Sequence, residues 1–94
     1  MPLERGEIVR YDVDRMTFEF TMIQKTKAQA NIVFCKISST AMDQLARTKG
    51  TMPSEREAQF LSLRDGIERI ACDLFDKAVP KPVRTIHIFH HHIR

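Results

Sequence analysis

Ser54 to Lys77 reads SEREAQFLSLRDGIERIACDLFDK, and this stretch decides the fold. Phe60, Leu63, Ile67, Ile70 and Leu74 recur at alternating intervals of three and four, which gathers apolar side chains into one stripe along an α-helix. Leu61, Ala71 and Phe75 widen the stripe. Ser54 and Glu57 have the spacing of a capping box, in which the serine hydroxyl accepts from the N–H of Glu57 and the glutamate carboxylate accepts from that of Ser54. The helix is predicted to start there. Ser62, Asp65, Arg69, Asp73 and Asp76 fall on the opposite, solvated side, with Asp65 and Arg69 spaced as an ion pair of roughly a few tenths of a kcal/mol. Gly66 costs a helix about 1 kcal/mol relative to alanine, so it predicts close approach of another backbone. Arg64 borders the stripe. Its stem is expected on the core and its head on Glu68, the alternative being an anchor for a ligand anion.

A stripe this long needs a sheet to cover, and the flanking sequence supplies one. Met16, Phe18, Phe20 and Met22 alternate with Thr17, Glu19 and Thr21, the period of two of a half-buried strand. After the polar break from Lys25 to Asn31, IVFCKI (Ile32 to Ile37) resumes the strand pattern, so the two runs predict a hairpin. EIVRY, from Glu7 to Tyr11, is a candidate first strand, and DVDR after it has turn composition. At Ser38, Ser39 and Thr40 the period changes, with Ala41, Met42, Leu45 and Ala46 at helical spacing. A short helix ending near Gly50 follows. The hydroxyl run has no neighbouring base and no opening glycine, so it reads as a helix cap in preference to a nucleophile or phosphate loop. Pro80 and Pro82 end the long helix in an extended linker, and Arg84 to Arg94 (RTIHIFHHHIR) is read as a final strand. The order is ββααβ with an extra strand possible in front, an α+β layer fold with the helices on one face of a small sheet.

In its hairpin DRMTFEFTMI and IVFCKISSTAMDQLA, its short helix closing on Asp43, Gln44 and Leu45, and its long arginine-bearing helix, the chain resembles a small bacterial family, domain of unknown function 1488. The resemblance covers nearly the whole chain and departs from the family at the histidine-rich end. It implies the fold and a bacterial origin. It carries no activity, so no functional residue follows from it.

Composition narrows the function classes. The 94 residues are enough for one core, and residues 1–94 are read as a single domain. Hydrophobic residues make up 43% and charged ones 29%, a globular balance. MPLERGE carries both charge signs with no apolar run behind it, so neither a secretory signal nor a transit peptide is expected and the cytoplasm is the expected compartment. Cys35 and Cys72 lie in no metal-binding spacing and are expected as reduced thiols. The net charge of +3 is spread along the chain, so a phosphate-binding stripe is not expected. Lys25, Lys27 and Lys36, with Phe34 as a stacking surface, are the candidates for weak nucleic-acid binding.

All four histidines lie in the last eleven residues. On an extended strand, His90 and His92 would sit roughly 7 Å apart on one side, and His87 and His91 roughly 13 Å apart on the other. Only the first pair can chelate one ion, and a zinc site needs further ligands, for which Cys35, Glu19 and Asp14 are the candidates. The plainer reading places the imidazoles along a strand edge. The run of three histidines is too short for a tag and is followed by Ile93 and Arg94, so it is treated as native. No acid, base and nucleophile set, Walker A loop or dinucleotide fingerprint is present, so no catalytic residue and no cofactor is expected. The leading expectation is a non-enzymatic binding or protein-interaction domain, with a homodimer through the C-terminal strand as the candidate assembly. A metal-binding enzyme or sensor using His90 and His92 is the alternative.

Overall fold

The computed structural model describes residues 2–79 and 83–93. Three strands, β1 (Glu4–Asp12), β2 (Thr17–Lys25) and β3 (Ala30–Ser38), form an antiparallel meander, followed by α1 (Ser39–Ala46) and α2 (Arg56–Lys77). β4 (Thr85–Ile88) then pairs with β3 in parallel, giving the order β1-β2-β3-β4. The candidate first strand is thus present and longer than its apolar pattern, since β1 also takes in Glu4, Arg5 and Gly6.

The alternation predicted for the hairpin is the pleat observed. Phe18, Phe20 and Met22 from β2 and Val33, Cys35 and Ile37 from β3 point to one face and are buried. Ile86 and Ile88 extend that face across β4. α2 lies over it through Phe60, Ile67, Ala71 and Phe75, and the Phe60 ring stacks on Phe18 at 4.5 Å and tilts against Phe20 at 4.9 Å. Both helices pack on this face, so the opposite one has no second layer among the described residues. Ile32 and Phe34 remain more than half exposed there.

Several boundaries differ from the sequence reading, each for a local reason. Met16 is exposed in the turn before β2, in the left-handed region at φ 53°, and its carbonyl accepts from the N–H of Ser39 at 2.8 Å. The chain therefore reverses one residue later than the alternation implies. α1 stops at Ala46 and not near Gly50, because Arg47 turns left-handed at φ 57° and its N–H closes on the carbonyls of Asp43 and Gln44. At the start of α2 the chain first makes a 3-10 turn over Pro53–Glu55, and Glu55 accepts from the N–H of Met52 at 2.9 Å. This is half of the reciprocal cap expected of Ser54 and Glu57, set two residues earlier because Pro53 has no N–H and starts the turn without loss. Pro80 and Pro82 lie outside the described residues. α2 has already ended at Lys77, where Ala78 turns extended.

Polar side chains tie the elements together. Glu68, 6% exposed on α2, accepts from Arg5 Nε on β1 at 3.0 Å and from Arg64 Nε at 3.1 Å. Arg64 thus pairs with Glu68 as expected, with its guanidinium 5.8 Å from the centre of the Phe60 ring. Asp65 pairs with Arg5 at 2.8 Å in place of Arg69. Asp43 on α1 accepts from Arg56 at 2.6 Å, from Gln59 at 2.9 Å and from Thr51 at 3.0 Å. Burial works against the charged form of Asp43, yet these bonds hold its carboxyl below the usual range.

Candidate functional site

A cleft of about 820 Å³ opens where the end of α1, one flank of α2 and the C-terminal turn meet. Its flank on α2 is the row Gly66, Arg69/Ile70, Asp73/Leu74 and Lys77, which the helical repeat of three and four places along one side. Ile70 and Leu74 belong to the predicted core stripe but are only half buried: one side packs on the core and the other faces the cleft with Leu45 and Ile93. Among the described residues Gly66 has no close backbone neighbour. A β-carbon placed there meets nothing within 4 Å, so the glycine leaves room at one end of the cleft.

The opposite wall comes from the histidines. β4 ends at Ile88, the fifth residue of the predicted final strand, and His90–His92 form a 3-10 turn. The imidazoles therefore do not alternate between two sides of a strand. Phe89 sits among them, its ring 5.7 Å from His87 and from His91 and 6.0 Å from His92. His92 Nδ1 accepts from the N–H of Phe89 at 2.9 Å, which places the proton of the neutral ring on Nε2. Burial, and then the neighbouring His91, push the His92 imidazole below its ordinary pKa. His91 and His92, with ring centres 4.2 Å apart, both line the cleft.

The other sequence candidates lie elsewhere. Among the described residues no three His, Cys, Asp or Glu side chains gather to hold a metal ion, and neither Cys35, Glu19 nor Asp14 is brought to His90 and His92. Cys35 and Cys72 are free, buried thiols, and burial, with Cys72 and Glu68 nearby, pushes Cys35 up to about 12. A thiol so placed is a poor nucleophile. Ser38 caps α1 by accepting from the N–H of Ala41 at 3.1 Å, and Ser39 shares a hydrogen bond with the Tyr11 hydroxyl at 2.7 Å. Lys25 and Lys36 stand on the uncovered face of the sheet, as Phe34 does, but each has a carboxylate close by, Glu4 at 3.5 Å and Glu19 at 3.9 Å respectively. Lys27 is exposed in the turn between β2 and β3. The sequence signal that the cleft left unread was the pairing of Gly66 with two cations one and three turns along the same flank.

No helix among the described residues is long and apolar enough to cross a membrane. A scan against protein-family models gives no match, and a search of the curated proteins gives none. Among solved structures, the fold is similar to a crystal structure from Shewanella loihica PV-4, a protein of unknown function from the DUF1488 family, with a TM-score of 0.72 and 21% identity. The match covers 93% of this chain and 91% of that one, so the chain shares the fold of that protein.

Proposed function

We propose that the chain is a non-enzymatic cytoplasmic binding domain that self-associates across the uncovered face of its sheet. The observation that carries this reading is the pair Ile32 and Phe34, 59% and 55% exposed on a sheet face that no helix among the described residues covers. Ile23 lies opposite Ile32 on the neighbouring strand, and His87 and Phe89 carry the surface across β4. Around this apolar centre the charges come in opposite pairs, Glu4 with Lys25 and Glu19 with Arg10 and Lys36. A two-fold contact needs a surface complementary to itself, and an apolar centre rimmed by both signs meets that need. A phosphate backbone would instead call for cations without carboxylate partners. The contact belongs to the face of the C-terminal strand more than to its edge, because β4 offers only four residues before the 3-10 turn closes it.

Sedimentation analysis of wild type beside Ile32→Lys/Phe34→Lys tests this. Both side chains are exposed, so the variant is expected to keep its far-ultraviolet dichroism and Tm while shifting from dimer to monomer. A wild type that stays monomeric at every concentration, or a variant that associates equally well, would sink the proposal. Salt-sensitive binding of a single-stranded oligonucleotide by wild type that is weakened in Phe34→Ala would move the face to nucleic acid.

A further inference from the structure

We infer that the cleft between α2 and the C-terminal turn is a binding site for an amphipathic organic anion, an aliphatic or aromatic body carrying one carboxylate or phosphate head. The cleft is separate from the sheet face and does not depend on self-association. Its volume of about 820 Å³ lies in the range of small-molecule sites, which pair apolar walls with a few placed polar groups. Leu45, Ile70, Leu74 and Ile93 supply the apolar walls, each already packed on the core from behind and therefore held in place.

The charge at the cleft selects the head group. Arg69 and Lys77 both line it, and among the described residues neither has a carboxylate within ion-pair distance. Asp65, the helix partner expected for Arg69, is taken by Arg5. Asp73 lies between the two cations, so among the described lining residues two positive groups face one negative and the wall keeps a cationic excess. Across the cleft, the bond from the Phe89 N–H to His92 Nδ1 leaves Nε2–H as a neutral donor. Cations on one side, a neutral donor on the other and an apolar floor between them fit an anion with a greasy body better than a cation or a sugar. Gly66 makes the remaining room: it lowers helix propensity without any packing need, and a larger side chain there would occupy the end of the cleft.

Calorimetric titration of the full chain with decanoate, decyl phosphate, decanol and decyltrimethylammonium tests the assignment, because the four probes share a tail and differ at the head. Binding of decanoate or decyl phosphate is expected, and the stronger of the two identifies the head. Decanol is expected about tenfold weaker, the worth of one charge-assisted contact, and the ammonium probe not measurable. Arg69→Gln/Lys77→Gln is expected to lower anion affinity by about tenfold or more. Gly66→Leu is expected to abolish binding with Tm retained, and Ile32→Lys/Phe34→Lys to bind as wild type does, which separates this site from the sheet face. No binding of either anion, equal affinity for decanol and decanoate, or an unchanged affinity in the double glutamine variant would each overturn the inference. So would a Gly66→Leu protein that changes its oligomeric state and still takes up decanoate.

Discussion

His92 shows how one residue acquires its character from its surroundings. Its Nδ1 holds the 3-10 turn through the N–H of Phe89, a role that only the neutral ring performs. Burial first, and His91 second, lower its pKa below the ordinary value. Because the folded ring binds its proton less readily than the unfolded one, its contribution to stability is complete above the unfolded pKa of about 6.5 and is lost as pH falls through the lower folded value. The expected outcome is that amide protection factors in residues 89–93, taken against the intrinsic exchange rate at each pH, fall below about pH 6.5 while those of β2 and β3 hold, and that His92→Phe removes this dependence. Little of this was legible in the run of three histidines. The same letters on an extended strand would have set His90 and His92 side by side, whereas β4 ends at Ile88 and the 3-10 turn that follows packs against α1.

At the level of elements, the two glycines in regular structure do opposite things. Gly6 lies on β1 where a β-carbon would run into the carbonyl and hydroxyl of Thr21 on β2, beside a break in register between Arg5 and Ile8. Gly66 lies on α2 beside open space. Gly6→Ala is therefore expected to destabilise by about 1–3 kcal/mol through overpacking, and Gly66→Ala to stabilise by about 0.5–1 kcal/mol through helix propensity. Urea unfolding of both variants checks this, and equal signs would contradict the geometry. The α2 stripe itself was legible because Phe60, Ile67, Ala71 and Phe75 repeat at the helical period, and the β2–β3 hairpin because its alternation is strict. The Ser54–Glu57 spacing places the cap two residues late. A serine and a glutamate at the right spacing compete with Pro53, and a pattern of residue types does not say which turn forms first.

On the scale of the whole molecule, residues far apart in sequence close the structure. Glu68 joins β1 to α2 through Arg5, 63 positions away, and is itself held by Arg64 four positions back. Among the described residues, removing the carboxylate leaves Arg5 with Asp65 alone and Arg64, largely inside the fold, with only the carbonyl of Gly6. Glu68→Ala is expected to cost about 2–3 kcal/mol, at the low end for a buried pair because Arg5 is half exposed, with β1 fraying before the rest in amide exchange. Glu68→Gln keeps the shape and is expected to lose less. A chemical denaturation midpoint unchanged in Glu68→Ala would show that the cluster is incidental. The same helix placement leaves the cleft on one flank of α2 and the other face of the sheet bare.

Periodicity alone determined the strands and helices as far as Ile88, their order and the faces that β2, β3 and the centre of α2 bury, though not Leu61, which is half exposed, because the pleat of a strand and the pitch of a helix are local properties written at spacings of two and of three to four. Tertiary structure decided which charges meet, where the last strand stops and that Gly66, Arg69, Lys77 and His92 border one cleft. Those outcomes depend on distances between segments that the chain brings together only after the core around Phe60 has formed, and no local spacing encodes them.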